Sequence, residues 1–263
     1  MRTAHRECQA KHDLGRAEIV ALVKAATHDP STIASLQDAS GVIAVQHHIA
    51  ESDVRSLIIA GWERAVDGVL ADGVLTEEEE ANLAQIRERL GFSRDELDRS
   101  GAYTKVVQGA ILRDLMHGVV PQRFTVTGQL PFNLQKGEKV VWIFHDVKYY
   151  QQKTRRHFQG GSSGFSIRVA RGVYYRTGAF RGHPVETKED VLVGTGLLAF
   201  TDKHLYFAGR AKSFRIAYKK VVSFEPFSDG IGVHRDAASA KPQLFITGDG
   251  WFAYNLAMNL SQL

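Results

Sequence analysis

One cysteine, Cys8, stands in the 263 residues, so the chain cannot close a disulfide on itself, and its thiol usage fits a reducing cytoplasm. No apolar run approaches the roughly 18 residues that a membrane span needs. The opening MRTAHRECQAKHDLGR is polar and lacks the apolar core of a secretion signal, which sets a cytoplasmic expectation. Catalytic signatures are missing as well: there is no G-x-S-x-G, P-loop, dinucleotide glycine motif, C-x-x-C pair or H-E-x-x-H. His5, Cys8 and His12 offer zinc-type ligands without a clear fourth. These absences point away from an enzyme.

What remains is the composition of a globular protein, 44% hydrophobic and 24% charged. The net charge of +4 hides a division. Residues 1–120 hold 13 Lys and Arg against 19 Asp and Glu, a balance of −6, whereas residues 121–263 hold 20 against 10, a balance of +10. An acidic half joined to a basic half predicts two modules with different partners, the basic one suited to an anionic surface.

The pattern along the chain divides at the same place. Residues 1–14 read as a loose tail. AEIVALVKAA (17–26) has helical spacing and stops before His28-Asp29-Pro30, after which Ser31 is placed to cap a short helix over 32–37. From Ser52, the residues Leu57, Ile58, Gly61, Trp62, Ala65 and Val69 recur at three- and four-residue steps. Further helices are expected after Thr76, ending at Gly91, after Ser93, and over 103–117. The period then changes. After a linker at 119–130, strands are expected at 139–152, 164–170, 172–180, 191–201, 204–209, 213–218, 221–227, 230–236 and 242–248, and a helical period returns over 251–263. The expected fold class is α+β: an all-helical domain over 15–118, then an antiparallel barrel or sandwich with a C-terminal helix over 131–263.

The stretch VDGVLADGVLTEEEE, from Val66, looks like a calcium loop. With Gly73 at loop position 6, Glu79 falls at position 12, but positions 1 and 3 are Gly68 and Leu70, which bring no side-chain oxygen. A second account needs no ion. Thr76 caps a helix with Glu79 as its T-x-x-E partner, and the glutamate run sits in the first turn, where the helix dipole favours negative charge. A looser Ca²⁺ or Mg²⁺ site built from Asp67, Asp72 and some of Glu77, Glu78 and Glu79 stays open beside it. The segment Ala71-Asp-Gly-Val-Leu-Thr-Glu-Glu-Glu79 resembles the A-D-G-x-[VIL]-[ST]-x-x-E signature of TerB-like domains, helical modules named for bacterial tellurite resistance. The resemblance covers about 45–118. It implies divalent-metal binding through Asp67, Asp72 and Glu79, and membrane-associated stress assemblies.

Three stretches stand out in the basic half. KTRRHFQGGSSGF (153–165) reads as cations beside a glycine-serine turn, able to surround a phosphate or equally to keep a hairpin tip soluble. GTGLLAFTDKHLYFAG (194–209) followed by IAYKKVVSF (216–224) resembles the hairpin and following strand pair of bacterial pleckstrin-homology and GRAM-like domains. That resemblance spans about 130–263. It implies contact with anionic lipid or with protein, with Lys153, Arg155, Arg156 and Arg168 as the matching anion-binding positions. In FSDGIGVHRD (227–236), Asp229, His234 and Asp236 carry acid–base chemistry but lack a third partner on one strand face. The aromatics mostly alternate as core residues do, which argues against nucleic acid. The expectation is a non-enzymatic adaptor: an acidic module for a protein or divalent ion, and a basic module that approaches anionic lipid at the inner face of a membrane. The alternative is a protein-interaction scaffold with neither ligand.

Overall fold

The computed structural model describes residues 2–71, 73, 75–123, 129–170, 173–237 and 240–263, and for 2–6, 154–170 and 173–188 the backbone alone. It divides into two compact units, residues 1–126 and 127–263. The first holds α1 (Arg2–Ala26), a 3-10 turn (Pro30–Ser35), α2 (Leu36–Gln46), α3 (Glu51–Val69), α4 (Glu77–Arg89), α5 (Arg94–Leu97) and α6 (Ala102–Met116). The second holds seven antiparallel strands and one terminal helix, so the fold is α+β in the expected order.

Within the helical unit, α1 packs along α3. Gly61 sits at their crossing, where a Cβ would come within 2.6 Å of the Val23 Cβ; its missing side chain lets the two backbones approach. Trp62, 1% exposed, anchors the same face and donates from its indole Nε1 to the Leu83 carbonyl at 3.2 Å, joining α3 to α4. Asn82 is also buried and donates to the Thr27 carbonyl. Residues 2–14, expected as a loose tail, are helical. They lack an apolar stripe, yet they extend a helix whose far half is anchored through Ile19 and Val23, so each added turn needs only propagation rather than a new nucleus. The cap after His28 also differs from expectation: the Asp29 side chain, not Ser31, accepts the first N–H.

In the β unit the strands are β1 (Val140–Ala170), β2 (Val173–Thr201), β3 (His204–Gly209), β4 (Ser213–Ala217), β5 (Val221–Pro226), β6 (Gly230–Arg235) and β7 (Gln243–Ile246), followed by α7 (Gly250–Leu260). The sheet order is β4-β3-β2-β1-β7-β6-β5. On a flat sheet β4 and β7 would lie four strand spacings apart, about 19 Å. The rings of Phe214 on β4 and Phe245 on β7 are 6.2 Å apart, and both pack on Tyr149 of β1. The sheet is therefore rolled around an aromatic core. A bulge in β1 between Phe144 and Val147, with Asp146 at φ 54°, brings Val147 and Tyr149 back to the interior face after two exposed residues. One end of the roll is covered by α7, whose fully buried Phe252 meets Trp142 edge-on at 5.1 Å.

The glycine-serine segment expected to turn does not. β1 runs through 159–164 and pairs with β2 from Val140↔Thr201 to Ala170↔Val173. Gly160 lies opposite Gly182 and Gly164 opposite Gly178, so small residues face small residues, and the ladder continues where composition alone suggests a reversal.

Candidate functional site

The acidic turn is engaged in helix architecture. Thr76 and Glu79 form the reciprocal capping box: the Glu79 N–H donates to Thr76 Oγ1 at 3.2 Å, and Glu79 Oε2 accepts from the Thr76 N–H at 3.0 Å and its hydroxyl at 2.8 Å. Asp67, near the end of α3, accepts from Lys105 Nζ at 2.8 Å. Glu80 is clamped by Arg113 at 2.6 Å and Arg123 at 2.5 Å, and Arg123 also grips Asp114, which ties the segment after α6 back onto α4. Asp72 lies outside the described residues. Among the described residues, no group of three His, Cys, Asp or Glu side chains converges as a metal site. Asp229 and Asp236 flank opposite ends of β6, roughly 23 Å of strand apart, and His234 faces Glu225 at 3.2 Å; these three do not assemble.

A polar cluster not foreseen from sequence lies on the outer face of the roll. The Glu138 side chain is fully buried and receives four donors: Thr201 Oγ1 at 2.5 Å and His204 Nδ1 at 2.8 Å on one oxygen, and the Tyr206 hydroxyl and Gln135 N–H, each at 2.8 Å, on the other. Burial alone would raise its carboxyl pKa; the combined donors reverse this and hold it below the ordinary 4.5. Burial, reinforced by the Glu138 carboxylate, raises the Tyr206 phenol. The cluster pins 130–138 against β1–β3, where Phe132 packs on Tyr206 and Ala199. Every carboxylate lone pair it offers is occupied, so it holds structure rather than exposing a reactive group. Because its three side-chain partners stand 63 to 68 residues from Glu138, spacing could not reveal it.

At the end of the roll opposite α7, the register collects cations. Gln151 of β1 pairs with Gln243 of β7, which pairs with Val233 of β6. Two residues further toward this end stand Lys153 on β1, Arg235 at the end of β6 and Lys241 just before β7, where the Gln152 N–H still donates to the Pro242 carbonyl; all three are exposed. Neighbouring strands are about 4.8 Å apart, so the three positions form one short row. Lys212, from the β3–β4 turn, places its Nζ 5.7 Å from the ring centre of Tyr149. Below it, the buried Gln243 donates to the Tyr149 hydroxyl at 2.8 Å, and the Gln243 Oε1 has no hydrogen-bond partner among the described residues. Burial raises the Tyr149 phenol and keeps it neutral at physiological pH. Counting Arg210, five cations share this end with Glu189, Asp190 and Asp236.

Of the residues expected to bind an anion, Lys153 belongs to this row. Arg155 and Arg156 follow it on β1 opposite Thr187 and Glu186, and Arg168 lies opposite Tyr174; the side chains of these three lie outside the described residues. Arg168 lies fifteen residues beyond Lys153, about 50 Å along β1, so the backbone does not bring those two together. Lys212, Arg235 and Lys241 take the neighbouring places instead. No described helix is long and apolar enough to cross a membrane. No family model matches the chain, and no curated protein matches it.

Proposed function

We propose that the chain is a non-enzymatic, two-module binding protein: the β unit receives an anionic headgroup at the open end of its rolled sheet, and the helical unit binds a protein. The observation that carries this reading is the Lys153–Lys241–Arg235 row beside Lys212, above a floor of Tyr149 and Gln243. Clustered cations at a rim outside the hydrogen-bonded core attract phosphate and carboxylate, and beneath them the buried Gln243 Oε1 has no hydrogen-bond partner among the described residues. The resemblance of the β unit to pleckstrin-homology and GRAM-like domains agrees with a peripheral approach to anionic lipid. For the helical unit, a TerB-like resemblance alone would favour a divalent ion. The commitments of Asp67 to Lys105 and of Glu79 to its cap favour a protein partner instead.

The test is co-sedimentation of the full chain with phosphatidylcholine vesicles with and without anionic lipid, at low and high salt. A cation near an anionic surface contributes about 1 kcal/mol, so replacing Arg235 and Lys241 together by Gln should reduce partitioning roughly 30-fold. High salt, which shortens the screening length to about 3 Å at 1 M, should do the same to the intact chain. Equal pelleting with neutral vesicles, or pelleting unmoved by both salt and substitution, refutes the electrostatic reading. No pelleting under any condition leaves the protein-interaction scaffold.

A further inference from the structure

We infer that the groove between α2 and α3 is a docking site for a short, basic, amphipathic helix of a partner protein. The groove encloses about 900 Å³. Its apolar lining comes from Val42 and Val45 of α2, Val54 and Ile58 of α3, and Phe92. Val42 is 57% exposed and Val45 is 78% exposed, one helical turn apart on the same side of α2. An aliphatic pair left this open beside a concave apolar floor is the form a helix-binding groove takes.

Charge selects the occupant. Asp38 and Glu51 line the groove, both exposed, and neither forms an ion pair among the described residues. Arg55, the cation on the rim, is already neutralised: its Nε and Nη2 reach the two Glu96 oxygens at 3.0 and 3.1 Å, and its guanidinium lies 4.5 Å over Phe92. The Glu96 carboxyl is drawn down to about 2, first by the Ser93 backbone N–H and then by Arg55, so this pair stays closed at any ordinary pH. The unmatched charge of the groove is therefore negative. Asp38 stands near the start of α2, and only four residues lie between the end of α2 at Gln46 and the start of α3 at Glu51. Eight residues of helix rise separate positions 38 and 46, about 12 Å, so the carboxylates mark opposite ends of the floor. The matching ligand is a helix of two to three turns, with apolar residues at i, i+3, i+4 and i+7 and a Lys or Arg near each end.

This inference rests on the reading of the helical unit as the protein-binding module, and not on the anion chemistry of the β unit. The probes are two fluorescein-labelled 14-residue peptides with the same leucine stripe, one flanked by lysines and the other by glutamates, titrated with the full chain and followed by anisotropy. The lysine peptide should bind saturably and the glutamate peptide at least tenfold more weakly. Val45→Asp should lower affinity for the lysine peptide at least tenfold, although an association driven by charge alone would be strengthened by the added carboxylate. Gly41→Trp gives an independent block: a Cβ at Gly41 meets nothing within 4 Å, so the indole has room to fill the groove while the core keeps its packing. Unfolding midpoints of both variants check that the helical unit is intact. Equal binding of the two peptides, no binding, or affinity unchanged by both substitutions overturns the proposal. So does a concentration-dependent dimer, seen by sedimentation equilibrium, that Val45→Asp dissolves, because the occupant would then be a second copy. Failure here with the vesicle result intact removes the groove alone; failure with the vesicles leaves the peptide result standing.

Discussion

Replacing Glu138 by Gln tests whether the buried carboxylate holds the outer face of the rolled sheet. The two side chains have nearly the same shape, but each carboxylate oxygen accepts two donors, and the amide nitrogen can accept none. If the nitrogen faces Tyr206 and Gln135, the Tyr206 hydroxyl can rotate to accept, whereas the Gln135 N–H is orphaned. If it faces Thr201 and His204, the imidazole can change tautomer and the Thr201 hydroxyl can turn to the His204 carbonyl at 2.9 Å, but both give up a charged acceptor. Either way the donors lose a charged acceptor for a neutral one, at a cost of about 1–3 kcal/mol, or roughly 3–10 °C in the unfolding of a unit this size. The pH dependence has a definite sign. The folded pKa lies below the ordinary 4.5, so the stabilisation is fully present above that value and is lost as pH falls through the folded one. Urea unfolding of both proteins at pH 7 and in steps down to pH 3 reads this directly. The wild-type advantage should be largest near neutrality and shrink below about pH 4.5. Equal stability at pH 7, or a gap that does not close on acidification, would refute the account of the cluster.

Two glycines in helices of the same unit should respond to alanine with opposite signs. At Gly61 the new methyl would press on Val23 and the Val20 carbonyl, and overpacking of about 1–3 kcal/mol should exceed the gain of about 1 kcal/mol in helix propensity. At Gly41 the methyl meets nothing, so only the gain remains; chemical denaturation showing the same sign at both sites would discount the α1–α3 contact. Millimolar Ca²⁺ or Mg²⁺ should leave the unfolding temperature of the helical unit unchanged, since Asp67 and Glu79 already have partners. A concentration-dependent rise abolished by Asp67→Asn would restore the ion site.

Local chemistry was readable from sequence wherever donor and acceptor lie within one turn. Thr76 and Glu79 announce their own helix start, as do Ser93 and Glu96, because a capping box is complete in four residues. The inward stripe of α3 was likewise visible at Leu57, Ile58, Gly61, Trp62 and Ala65, since one partner face is enough to set its period. Most of α2 was not visible, for a reason that bears on function. Its apolar residues do not share one face: Leu36 and Ala44 turn inward while Val42 and Val45 turn out. A helix with a second apolar face loses the simple period that identifies helices from sequence, and that second face is what lines the groove.

The β unit illustrates the same limit at longer range. Lys153 was legible as a cation beside a strand, but its row with Lys241 and Arg235 exists only through the pairing of Gln151 with Gln243 and of Gln243 with Val233. Register is a property of two strands at once, and shifting one strand by a single residue would move its side chains to the other face. The fully paired Glu138 cluster and the cationic row both depend on register, yet they differ in what they leave available. At Glu138 every acceptor position is filled from within the chain, so the cluster has nothing to offer a ligand. At the open end an exposed row of cations stands above a buried carbonyl without a partner among the described residues. Unspent hydrogen-bonding capacity beside clustered cations is what a binding site keeps in reserve, and that difference favours the open end over Glu138 for the proposed recognition.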